Sequence, residues 1–139
     1  MTGWIQPPRP PLVQLPYEPY LATNEMKAVL LGQMRSAGAT IAEIDVASAR
    51  DERDVIESMR RVLPIPEWCG STWDSLDDAF SELSENWAFP VVIMLTGYDR
   101  QLEQHPHAAI NAAIFLTRLS SAFSLIKKQL VLTYFGKQW

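Results

Sequence analysis

The stretch Phe89-Pro-Val-Val-Ile-Met-Leu95 lies in the longest apolar run of the chain and carries Val91, Val92 and Ile93 side by side. Apolar residues at consecutive positions, rather than alternate ones, mark a strand that needs cover on both faces, as in a parallel sheet packed between helices. Gly97 ends the run. Working outward, Thr40 to Val46 alternates, with Ile41, Ile44 and Val46 as its apolar β-formers, and reads as a second strand. Leu130 to Phe135 reads as a third, stopped by Gly136. Helical patterns fill the gaps. Residues 51–63 place Val55, Ile56, Met59, Val62 and Leu63 on a buried stripe, with Arg53, Arg60 and Arg61 off it and Pro64 and Pro66 as terminators. After the loop Glu67-Trp68-Cys69-Gly70, Ser71 or Thr72 caps a helix whose Trp73, Leu76, Phe80 and Leu83 share one face. A short turn over 99–104 precedes a long helix over 107–128, with Ile110, Ile114, Leu119, Phe123 and Ile126 inward. The order after residue 38 is β-α-α-β-α-α-β, with crossovers long enough for parallel pairing.

The N-terminal zone differs in composition. Six of the ten prolines fall within residues 1–23, so the zone reads as an extended arm, either a tail on its own domain or an SH3-type ligand. Asn24 then caps a helix over 25–37 that ends at Gly38 and turns Met26, Val29, Leu30 and Met34 inward. The expected organisation is therefore an arm plus one helix over 1–38 and an α/β domain over 39–139.

A chain of 139 residues that is 47% hydrophobic and 20% charged suits one compact domain. No apolar run reaches the ~18 residues of a membrane helix, and the start lacks the pattern of a secretory signal. With Cys69 as the single cysteine, the expected compartment is the cytoplasm. A net charge of −4 argues against nucleic acid as partner. That average hides an asymmetry: no Lys or Arg stands between Arg61 and Arg100, where Glu67, Asp74, Asp77, Asp78, Glu82, Glu85 and Asp99 add up to −7.

Catalytic signatures are missing. His105 and His107 flank Pro106 in an expected loop, and the six glycines form no nucleophile elbow, phosphate loop or dinucleotide pattern. Asp74, Asp77 and Asp78 with the histidines have no diagnostic metal-ligand spacing, and acidic neighbours should raise the Cys69 pKa and blunt it as a nucleophile. The expectation is a protein that is not an enzyme and needs no cofactor. The acidic helix points elsewhere. Asp74 and Asp78 are i, i+4 like charges, a pairing that costs an isolated helix roughly 0.2–0.5 kcal/mol, and no base on that helix offsets it. Such a face is either solvated surface or a surface that steers in a basic partner. Trp68 is either packing or the aromatic anchor of that interface, whereas Trp73 belongs to the core stripe.

Residues 66–80, Pro-Glu-Trp-Cys-Gly-Ser-Thr-Trp-Asp-Ser-Leu-Asp-Asp-Ala-Phe, resemble the signature of the barstar family of intracellular ribonuclease inhibitors. There a Pro-Glu-aromatic-aromatic-Gly loop leads into a helix reading Asn-x-Asp-Ala-Leu-x-Asp. The resemblance spans roughly residues 39–136. It implies a three-stranded parallel sheet flanked by helices, here with an extra N-terminal arm and helix. It also implies an inhibitor or immunity protein of toxin–antitoxin type that blocks a basic ribonuclease or related toxin, with no role for membrane or nucleic acid. By position, Asp78 matches the principal helix acid, Asp74 the second, and Trp68 and Gly70 the loop residues that meet the nuclease; Asp77 is an added acid. Thr72 replaces the usual Asn, Cys69 replaces the second aromatic, and residues 107–128 hold no acid where barstar has one. The alternatives are a barstar-like interaction subunit for a partner other than a ribonuclease, and a metal-assisted enzyme built on Asp74, Asp77 and Asp78.

Overall fold

The computed structural model describes residues 19–139, so the proline-rich reading of residues 1–18 lies outside the described residues. The strands are β1 (Tyr20–Thr23), β2 (Thr40–Asp45), β3 (Val91–Thr96) and β4 (Leu130–Gly136). They form one parallel sheet in the order β1-β4-β3-β2, with Val91 paired to both Thr40 and Leu130. The central strands behave as their composition demands. Val91 to Leu95 and Leu130 to Phe135 are buried throughout, because helices cover both faces.

The two covers are unequal. On one face lies α1 (Lys27–Ser36), whose Leu30 and Met34 pack with Val92, Met94, Val131 and Phe135. On the other lie α2 (Glu52–Arg60), α3 (Trp73–Asp78), α4 (Phe80–Asn86), α5 (Tyr98–Gln104) and α6 (Pro106–Leu125), gathered around Ile44, Ile93, Leu95, Leu132 and Tyr134. The end of α1 follows from Gly38, which at φ +77° occupies the left-handed region: its N–H bonds Arg35 O and the N–H of Ala39 bonds Met34 O. Gly97, at φ +69°, links β3 to α5 where an added Cβ would stand 2.6 Å from Ala47 Cβ.

Several expectations need correction. Among the described residues the sheet has four strands, not three. Tyr20–Thr23, read as part of the arm, pairs in parallel with Thr133–Gly136, and the Trp139 indole donates to Ala22 O at 2.9 Å. The open edge of β4 and the uncovered side of Phe135 draw these residues in, a pull that no local pattern reveals. A single 3-10 turn, Asn24–Met26, precedes α1, so the N-cap of α1 is Met26 and not Asn24. The acidic helix is two helices, because the backbone at Ala79 (φ −83°, ψ 3°) breaks the ladder. Val29 and Val62 are exposed, as are Ile110, Ile114 and Ile126, while α6 buries Ala109, Ala112 and Leu116 beside the expected Leu119 and Phe123. Small residues let α6 lie close to the sheet, and the bulkier isoleucines turn outward. By length and composition α6 is apolar enough to cross a membrane, yet this buried face makes it a core helix of the domain.

Tyr20→Ala is expected to lower unfolding stability by roughly 3–5 kcal/mol, as for other buried aromatic truncations. Val29→Ala should move it by less than about 0.5 kcal/mol, because its side chain is exposed. Urea denaturation of both variants measures the difference. Equal, small losses would mean that β1 is not part of the cooperative core.

Candidate functional site

The acidic surface is built on a short helix with a firm start. Thr72 is its N-cap: its Oγ1 accepts from the Ser75 N–H at 3.1 Å and donates to Ser75 Oγ at 2.8 Å. From α2, Glu52 reaches across and accepts from the Trp73 N–H at 3.0 Å. Trp73 then enters the core and stacks on Phe115 of α6, with centroids 5.7 Å apart and planes at 9°. Leu76, Ala79 and Leu83 are buried behind it. With that side of the helix pair fixed inward, Asp74, Asp77, Asp78, Glu82 and Glu85 are all exposed. None of them makes an ion pair among the described residues, where the pairs are Lys27–Glu43, Arg50–Asp54 and Arg60–Glu57.

The preceding loop is held by one side chain. Arg60 donates to Pro66 O at 3.1 Å and to Cys69 O at 2.8 Å, and its Nε donates to Glu57 Oε2 at 2.8 Å. That Arg60 hydrogen bond is the main reason why the Glu57 carboxyl titrates below its ordinary value. Gly70 lies so close to the helix start that a Cβ there would meet Ser75 Oγ at 2.8 Å, in the middle of the capping pair. Trp68 is 59% exposed, so the packing alternative fails for its ring; its indole donates to Glu82 Oε1 at 3.0 Å, bridging loop and helix. Cys69 is buried, and burial pushes its thiol pKa up. Arg60 opposes that rise and Asp78 adds to it, so the expected direction holds but burial, not acidity, is its chief cause.

The structure thus brings together Trp68, Gly70, Asp74, Asp77 and Asp78 on one continuous loop-and-helix surface. It does not gather a metal site: no group of three or more His, Cys, Asp or Glu side chains is placed to hold an ion among the described residues. His105 stands at the junction of α5 and α6, and His107 lies in the first turn of α6, where its Nε2 and Asn111 Nδ2 are 3.1 Å apart. The sequence reading missed Glu52 and Arg60, which hold the surface in place. It also missed Phe115 and Arg118 of α6, which line a groove of about 90 Å³ with Trp73, Asp74, Leu76, Asp77 and Leu119. The one available signal for Arg118 was its isolation as the sole charged residue of α6.

The barstar family model, described as Barstar (barnase inhibitor), matches residues 39–135. The chain belongs to the barstar family. The matched span runs from just before β2 to β4 and leaves β1 and α1 outside it. Barstar-family proteins are inhibitors that act by binding another protein, so the family supports a binding surface rather than a catalytic centre. A search of curated proteins returns no significant match.

Arg60→Met removes the donors to two loop carbonyls and strands the Cys69 carbonyl beside a buried side chain. Stability should fall by about 1–3 kcal/mol, with faster amide exchange over residues 66–70. Acid should loosen the same clamp. A carboxyl with a lowered folded pKa stabilises the fold above its unfolded pKa, and loses that contribution as pH falls through the folded value. Glu57→Gln should therefore flatten the acid limb of a stability–pH curve below the ordinary glutamate value of about 4.3. An unchanged acid limb would show that Glu57 is not coupled to the fold.

Proposed function

We propose that this protein inhibits a basic ribonuclease by filling its phosphate-binding cleft with the carboxylates of Asp78 and Asp74, with Asp77 beside them. The observation that carries this reading is the exposed acid row on α3 and α4, without an ion pair among the described residues and mounted on a loop and cap that Arg60 and Glu52 hold still. Family membership supplies the inhibitor class.

The chemistry follows from what a ribonuclease must do. Its active site collects Lys, Arg and His to bind phosphodiester oxygens and to stabilise charge that develops during cleavage. Carboxylates at fixed spacing on a rigid helix match those cations as phosphates do, and the body of the inhibitor then excludes RNA. Pre-organisation matters because each side chain that must be ordered on binding costs about 0.5–1.5 kcal/mol. Here the backbone beneath the acids is already ordered. Like-charge repulsion along α3 is tolerated in the free protein and relieved when cations arrive. Trp68, exposed at the rim and tied to Glu82, serves as the aromatic contact that shields the acid row from water. In this reading the protein works in the cytoplasm of the cell that makes the toxin, as its immunity protein, without cofactor or metal.

Asp78→Ala is expected to weaken binding to a barnase-type ribonuclease by about 2–5 kcal/mol, mostly through the off-rate, because the opposing cations lose their partner in a desolvated site. Asp74→Ala should rank next, and both variants should melt no lower than the parent, since a like-charge contact is removed. Glu85→Ala should alter mainly the on-rate and its salt dependence. Stopped-flow association and dissociation at two ionic strengths separate these effects. Parent-like binding by both aspartate variants, with loss of binding from a substitution on another face, would refute this surface.

A further inference from the structure

We infer that Arg118 decides which partners this surface accepts: it disfavours a partner face that is basic throughout, and reserves the groove between α3 and α6 for one that sets a carboxylate beside its cations. The inference rests on the reading of α3 as the inhibitory surface. The groove takes Asp74 and Asp77 from α3 and Arg118 from α6, over the apolar side chains of Leu76, Phe115 and Leu119. A partner that reaches the two aspartates therefore also meets a positive charge.

That charge is placed rather than incidental. Arg118 makes no ion pair among the described residues, although it borders the same groove as two carboxylates. Its guanidinium instead lies 5.1 Å from the centroid of the Phe115 ring, a cation–π contact. Phe115 in turn is stacked on Trp73, the first residue of α3, so the cation is tied to the acidic helix through two rings. An exposed base held beside an acid row repels a partner cation at that point and attracts a partner acid, and charge juxtaposition of this kind is what interfaces use to reject wrong partners.

Barnase, which the family description names as the inhibited protein, is the probe for a cleft of phosphate-binding cations. Binding is measured for the parent, Arg118→Met and Arg118→Glu, after melting curves show that all three remain folded. Arg118→Glu should bind barnase at least tenfold tighter than the parent, with Arg118→Met between them. In the reciprocal arm the cleft lysines and arginines of barnase are replaced by Glu one at a time. At least one such variant should prefer the parent over Arg118→Glu by tenfold or more. If Arg118→Glu binds barnase no better than the parent, or if no barnase variant reverses the preference, Arg118 has no selecting role. Asp78→Ala is run alongside: its loss of binding with no effect at Arg118 overturns only this inference, whereas an Asp78→Ala variant that binds like the parent removes the inhibitory surface itself.

Discussion

A parallel strand buried on both faces cannot stand without two covers, and that requirement organises this molecule. Val91 to Leu95 has no polar face to give to water. The helices of the barstar-family span cover one side, and their apolar stripes are spent on it. The other side, with Val92, Met94, Val131 and Phe135, is closed by Leu30 and Met34 of α1, and by Tyr20 and Ala22 of β1. Residues 20–38 lie outside the family match yet complete the packing of the sheet. The same requirement shapes the acidic surface. Because Trp73, Leu76 and Leu83 are turned to the core, the intervening acids must face solvent.

That surface is stiff for reasons that lie mostly off the acidic helices. α3 and α4 span six and seven residues, too short to be stable alone, and carry repelling charges. They persist because neighbours supply what they lack: a carboxylate on the Trp73 amide, a guanidinium on the loop carbonyls, and a ring stack that anchors the first turn. Glu52 and Arg60 both belong to α2, which also begins with a well-formed cap where Asp51 accepts from the Asp54 N–H. One helix thus sets the position of both the loop and the cap.

What could be read from the sequence divides along the range of the interactions. The three strands 40–46, 89–95 and 130–135 were legible to within about two residues, because alternation and continuous apolarity are local signals. The cap, narrowed to Ser71 or Thr72, and the exposed faces of Asp74, Asp77 and Asp78 were legible for the same reason. β1 was not, since Tyr20-Leu-Ala-Thr23 has no pattern of its own and becomes a strand only through β4. The inward face of α6 was legible at Leu119 and Phe123 and misjudged elsewhere, because counting hydrophobicity favours Ile110 and Ile114, whereas close packing on a sheet favours Ala109 and Ala112. Arg60 and Arg118 carry no motif; their meaning comes from partners 6 and 9 residues away in one case and from a neighbouring helix in the other.

Hydrogen–deuterium exchange of the whole chain, alone and with saturating barnase-type ribonuclease, tests the central claim most directly. Protection on binding should centre on residues 67–82 and extend to the groove-facing part of α6 near residues 115–119, with β1 and α1 unchanged. Protection confined to β1 and α1, or to the open edge of β2, with none over 67–82, would contradict the assignment of the acidic loop-and-helix face as the inhibitory surface.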